Sequence, residues 1–263
     1  VNTFAAAVLE EFGKTAAELA NRKDLRCLLL QSGKQGHFIA GADLKELAAA
    51  GVQVEAGPLQ ALAAVAAGGD LSLATPGNLH SAGTDAVQIT ALGDLRLLAG
   101  TGDIAGDAAA GTPLVVQVNG TLTSANAGGN VRLEQRGGGL VFERISGDEV
   151  QLRVPAGGLY QRTAGTGIQG DGLTVEVAGA VGTATAFVEL QLDAAGELSV
   201  TAPAGAYLRC LDSTNLALGS SENADVTLEV QGDAYVGQIA ITTPAGTTPA
   251  GIVSLFADGG IYD

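Results

Sequence analysis

The sequence predicts a mainly β protein, a parallel β-helix preceded by a small α/β segment, and three observations predict it. From residue 87 onward apolar and polar residues alternate in short runs, as in Val188-Glu-Leu-Gln-Leu192, which is the period of a strand with one dry face and one wet face. Such runs start at Val87, Val116, Val131, Val150, Leu173, Val188, Val226 and Val253, at a mean interval of about 24 residues. Hairpins with two-residue turns would give shorter, paired intervals, whereas a coil of about two dozen residues with Gly, Asn, Asp and Pro at its corners suits a solenoid. Finally, the composition changes abruptly near residue 50. All four lysines lie before it, and 35 of the 39 glycines lie after it.

The division is 1–50 for the α/β segment, 51–69 for an Ala-rich helical junction, and 70–263 for the β-helix. Within 1–50, residues 4–21 place Val8, Leu9, Phe12, Ala16, Leu19 and Ala20 three and four apart, with Glu10, Glu11, Lys14 and Glu18 opposite, which is an amphipathic helix. Arg26–Gln31 is a short apolar run suited to a covered strand. After the loop SGKQGHFIAG, Asp43 is placed to cap a second helix over 44–50. In 51–69, Leu59, Leu62 and Val65 fall at helical spacing behind Pro58, so a short helix capping the open end of the solenoid is expected.

The segments NTF, VLEEF and RCLLLQSG, and above all HFIAGADLKEL at 37–47, resemble the crotonase (enoyl-CoA hydratase/isomerase) superfamily over residues 1–50. The resemblance implies that the backbone N–H of Ala42, with Gly41 and Asp43 beside it, helps hold the thioester oxygen of an acyl-CoA as negative charge develops there. A helix N-terminus offers unpaired N–H donors for that purpose. The second donor and the catalytic glutamates that the family carries have no counterpart in this sequence. Val118-Asn119-Gly120 and Gly137-Gly138-Gly139 stand too far along and too far apart, and Val141 occupies the place of the triplet's glutamate. The segment therefore reads as a truncated piece of a crotonase.

Beyond residue 50 the expected inward residues are Val87, Ile89 and Ala91; Val116 and Val118; Val131 and Leu133; Val150, Leu152 and Val154; Leu173, Val175 and Val177; Val188, Leu190 and Leu192; Val226, Leu228 and Val230; and Val253 with Leu255. If successive runs stack in register, the outward residues Thr90, Asn119, Glu134, Arg153, Glu176, Gln191 and Glu229 form a row. In that row Glu134, Arg153 and Glu176 alternate in sign. The phrases G-D-L-x-L and V-x-L-x-x-x-G resemble the filamentous-haemagglutinin and autotransporter-passenger β-helices of bacterial exoproteins. That resemblance implies a right-handed parallel β-helix, an extracellular or cell-surface location and an adhesin-like role toward host or neighbouring cell-surface molecules.

Charge and side-chain chemistry narrow the function. From residue 51 onward seven arginines face 22 acids, which accounts for the whole net charge of −15. Such a surface repels phosphate backbones and anionic lipid, so nucleic acid is a poor partner, and no apolar run is long enough for membrane insertion. Lyases and hydrolases built on solenoids gather acids and bases in a groove and bind sugars on aromatic platforms. Here Lys and Trp are missing after residue 50, and Tyr160, Tyr207, Tyr235 and Tyr262 look scattered. His37 and His80 lack a second ligand at metal spacing and read as solvated or locally bonded side chains, and SSENAD at 220–225 reads as a solvated turn. Cys27 and Cys210 read as separate small buried hydrophobes. The expectation is a non-catalytic surface or secreted scaffold that needs no cofactor. The alternative is a cytoplasmic crotonase relative acting on acyl-CoA through an incomplete site. A third reading is a join of two segments with no evolved joint function.

Overall fold

The computed structural model of the chain describes residues 11, 14, 52–55, 59–62, 65–81, 87–107, 111–165, 167–193, 196–212, 214–219, 224–239 and 251–262. From residue 65 onward the chain is a parallel β-solenoid made of two sheets. The first, 11-stranded, runs in the order Val52–Glu55, Leu71–Thr75, Leu95–Ala99, Thr121–Ala127, Leu140–Ser146, Ile168–Gly170, Val188–Leu192, Ala206–Cys210, Val226–Val230, Val253–Ala257, with Leu159–Gln161 beside Leu140–Ser146. The second, 13-stranded, follows Leu59–Leu62, Leu79–Ser81, Ile104–Ala105, Val131–Gln135, Glu149–Val154, Gly172–Val177, Glu197–Thr201, Thr214–Gly219, Ala234–Ile239, Ile261–Tyr262. Val65–Ala67, Ile89–Ala91 and Leu114–Val118 complete it. Each strand pairs in parallel with one a full turn away, for example Leu71 with Leu95 and Val150 with Leu173.

The expected alternation holds for the runs from Val116 to Val226, but in the first run Gln88 is buried in place of Val87, and in the last Val253 is 43% exposed. The repeat it marks also differs from the one expected. Each turn crosses both sheets and so contains a strand in each. The runs at Val116, Val131, Val150 and Leu173 lie on the second sheet, and those at Val188, Val226 and Val253 on the first. The stretch 188–198 spans the corner between them. Period-two alternation reports that a strand has a dry face. It carries no mark of which sheet supplies it, which is why the interval of 15 residues from Leu173 to Val188 is half a turn and not a short one.

The junction is also corrected. Where a helix was expected in 51–69, the chain forms the strands Val52–Glu55, Leu59–Leu62 and Val65–Ala67, which pair with Leu71–Thr75, Leu79–Ser81 and Ile89–Ala91. Leu59, Leu62 and Val65 fit helical spacing, but the strand edges of the next turn offer backbone partners that a lone short helix lacks.

Inward side chains stack into one dry column. On the first sheet the printed registers link Leu73, Leu97, Ala125, Ile145, Ile168, Leu190, Cys210, Val230 and Ala257. On the second they link Val131, Val150, Leu173 and Leu198. Cys210 occupies an aliphatic position, and burial pushes its thiol up to about 12.

Turns vary from 18 residues between Leu198 and Leu216 to 28 between Leu97 and Ala125. The extra length emerges as loops that split a rung in two. Leu133–Gln135 pairs with Leu114–Val116 while Val131 pairs with Ile104, and Leu140–Ser146 is shared between Leu159–Gln161 and Ile168–Gly170. A split leaves backbone groups without a ladder partner, and buried orphans are costly. Glutamine side chains supply the missing partners. Val115 N–H donates to Gln88 Oε1 at 2.6 Å, and Glu189 N–H donates to Gln161 Oε1 at 2.7 Å. Gln135 serves both groups of Val118, accepting from its N–H at 3.1 Å and donating to its carbonyl at 3.0 Å.

Candidate functional site on the outer faces

Gly41, Ala42 and Asp43, the expected oxyanion and acyl-CoA residues, lie outside the described residues, as do His37, Cys27 and most of SSENAD. The described chemistry lies on the corners and the wet faces of the two sheets.

The corners explain the Gly-Asp and Gly-Asn pairs of the sequence. The Asp70 carboxylate accepts from Asp94 N–H at 2.8 Å, and that of Asp94 accepts from Thr121 N–H at 2.7 Å. A second line runs from Asn78 to Asp103 N–H at 2.9 Å, from Asp103 to Asn130 N–H at 2.7 Å, and from Asn130 to Glu149 N–H at 3.2 Å. Each side chain binds the amide one turn on, and so helps hold the coil closed. The glycine ahead of the donating amide, at Gly93, Gly102, Gly120 and Gly129, is a matter of space. A Cβ on Gly120 would stand 2.6 Å from both the Asp94 carboxylate and the Gly93 carbonyl.

On the second sheet Glu134, Arg153 and Glu176 stack as the alternating row that the sequence predicts. Arg153 reaches Glu176 at 3.0 Å and Glu134 at 3.4 Å, and Glu134, nearly buried, also takes Arg136 at 2.7 Å. The rest of the expected row dissolves: Thr90 pairs with Gln117, Asn119 lies in the bend after Leu114–Val118, and Gln191 and Glu229 belong to the first sheet, where Gln191 pairs with Gln169 and Glu229 with Arg209. A shallow recess of about 190 Å³ lies beside this row, lined by Arg153, Pro155, Glu176, Val177 and Ala178.

The first sheet carries a second row that alternates in sign, Glu189, Arg209 and Glu229. Arg209 donates to Glu229 at 2.7 Å, stands 3.9 Å from Glu189, and lies 5.2 Å over the Phe187 ring, which meets Tyr207 edge-on at 6.2 Å. Glu189 also accepts from Gly165 N–H and from Gln161 Nε2 at 3.3 Å. Its Oε2 takes both loop donors while its Oε1 faces Arg209, so it anchors the loop after Gln161. The reading that sequence reasoning missed is this second row, and the signal was present in the four-residue echo F-V-E-L, Y-L-R-C, T-L-E-V once the runs are sorted by sheet.

The tyrosines are not scattered. All four sit at the second position of a strand, facing outward. The rings of Tyr160, Tyr207 and Tyr262 fold back over Gly158, Gly205 and Gly260, each two residues earlier. Tyr235 and Tyr262 stack at 5.2 Å and are 42% and 49% exposed. His80 also departs from expectation: its Nε2 is shut off from solvent and has no hydrogen-bond partner. Among the described residues no group of three His, Cys, Asp or Glu side chains is placed to hold a metal ion, and no helix is long and apolar enough to cross a membrane.

Fold and faces together define a parallel β-solenoid whose outer surface is built from ion-pair rows, amide ladders and tyrosines. Compared with protein-family models, with curated proteins and with solved structures, the chain matches none of them.

Proposed function

We propose that the chain is a non-catalytic, surface-displayed or secreted scaffold, adhesin-like, whose winding is right-handed in keeping with the general preference of parallel crossovers. The observation that supports this most is how the ionisable groups of the outer faces are used. Carboxylates and arginines are stacked in registered rows, Glu134–Arg153–Glu176 and Glu189–Arg209–Glu229, or are bound to backbone amides of the next turn, as Asp94 and Asp103 are. Groups held in this way stiffen an extended face and present it, and host or neighbouring cell-surface molecules are the partners such a face serves. The location is extracellular or at the cell surface. Antibody raised against residues 65–262 and applied to intact source cells tests it. Labelling without permeabilisation is the expected result, and labelling only after permeabilisation would overturn the placement.

The second reading rests on HFIAGADLKEL at 37–47. Under it the chain is a cytoplasmic crotonase relative in which the Ala42 N–H, flanked by Gly41 and Asp43, contacts the thioester oxygen of an acyl-CoA, with the remaining catalytic groups supplied from elsewhere.

A further inference from the structure

We propose that the outer row Arg96, Ser124 and Arg144 of the first sheet binds an acidic polysaccharide through its carboxylate or sulfate groups. These three residues are paired in register on adjacent strands, with Ser72 one strand further on. In a chain of net charge −15, arginines find acids readily. Arg136, Arg153, Arg162 and Arg209 each lie within 4.0 Å of a carboxylate. Arg96 and Arg144 are exposed, and among the described residues neither has an acidic partner. Arg144 makes one long hydrogen bond, 3.4 Å, to Gln169 Oε1.

The row beside it is Leu98, Asn126, Ser146 and Gln169, again paired in register, with Ser146 Oγ 3.1 Å from Asn126 Oδ1. Neither row contains a carboxylate. The nearest in sequence, Glu143, stands 3.8 Å from Arg162. Two cationic forks flanking a hydroxyl, bordered by amides and another hydroxyl, make a patch of donors on an otherwise acidic molecule.

A guanidinium grips a planar or tetrahedral oxyanion with two parallel N–H bonds. Strands lie about 4.8 Å apart, so the two forks repeat at about 10 Å along the solenoid axis, close to the length of a disaccharide. The row runs along the solenoid axis on an outer sheet face with both arginines exposed, which suits an extended polymer lying along the axis better than a small molecule that needs a concave pocket. One acid per disaccharide matches two separated forks. A phosphate at every nucleotide would bring far more negative charge against a surface that repels it.

This inference takes from the scaffold reading only that the outer face is the working surface. Cell labelling tests that reading, and binding in solution tests this one. Hyaluronan, with one carboxylate per disaccharide, is titrated calorimetrically against the whole chain at low salt, beside unmodified dextran, sodium sulfate and single-stranded DNA. Hyaluronan is expected to bind and dextran not to, with affinity falling as salt rises. Arg96→Gln and Arg144→Gln are each expected to weaken binding about tenfold. Arg132→Gln, the same charge change on the second sheet, is expected to leave it unchanged, and far-ultraviolet circular dichroism checks that all three variants fold. No hyaluronan binding, equal loss in Arg132→Gln, response to sulfate alone, or tighter binding of DNA through the same arginines would each overturn the proposal.

Discussion

Replacing Gln135 with leucine removes a side chain that does the work of a strand residue. Gln135 is 1% exposed and points inward at the end of Val131–Gln135, beside a rung split by a loop. Its amide closes both backbone groups of Val118, itself 4% exposed, at 3.1 and 3.0 Å. Leucine keeps the volume but leaves one N–H and one C=O buried and unpaired. At about 1–3 kcal/mol for each orphaned group, the expected loss is about 2–6 kcal/mol, offset slightly by the added apolar burial. That is a large share of the roughly 5–15 kcal/mol by which domains are stable. Urea denaturation reads the loss, and amide hydrogen exchange at Val118 reads its location. Gln151→Leu, at a half-exposed position on the neighbouring strand, is the control and should stay within about 0.5 kcal/mol of wild type. A loss below about 1 kcal/mol with Val118 still protected would refute the reasoning, because it would mean that the split rungs need no side-chain closure.

Two further outcomes follow. Burial holds the Cys210 thiol protonated, with its titration moved from 9.0 to about 12, so above pH 9 the unfolded chain releases a proton that the folded chain keeps. Stability is then fully present below pH 9 and falls between 9 and 12, by on the order of 1 kcal/mol at pH 10. Denaturant titrations at pH 8 and pH 10 should show Cys210→Val losing that much less than wild type, and equal losses would contradict the assignment. On the scaffold reading neither wild type nor Ala42→Pro hydrates a short enoyl-CoA. Turnover that the proline abolishes would instead establish the Ala42 N–H as an oxyanion donor.

How much was legible in the sequence depends on whether a property is local. Alternation at 188–192 or 150–154 is a property of five consecutive residues, and the strands, their inward side chains and the parallel stack all follow from it. The row Glu134, Arg153 and Glu176 was legible because these three belong to consecutive turns of one sheet. Gln191 and Glu229 were placed with them wrongly, because assignment to a sheet depends on where the corner falls, and corners here are made by Asp and Asn side chains acting a whole turn away. The glutamine closures were illegible for a related reason. Gln88, Gln135 and Gln161 look like ordinary polar residues until the loop that orphans their partners is known. The junction was misread because helical spacing of three apolar residues in 59–65 competes with strand edges that only the folded coil supplies.

The same closures explain how turns of 18 to 28 residues share one core. A solenoid tolerates an insertion when two conditions hold: the inward ladder keeps its register across the break, and the backbone exposed by the break finds partners. The first holds at the split after Gln161, where Ile145 still meets Ile168 and Ile168 still meets Leu190. The second holds through Gln161, whose oxygen takes the Glu189 amide, and through Glu189, whose carboxylate takes the Gly165 amide from the loop itself. With both met, the loop's length and sequence are released from the demands of the core. A scaffold of this kind can therefore acquire surface features at its splits without losing its fold, and function on it has to be sought in the rows and loops that face water.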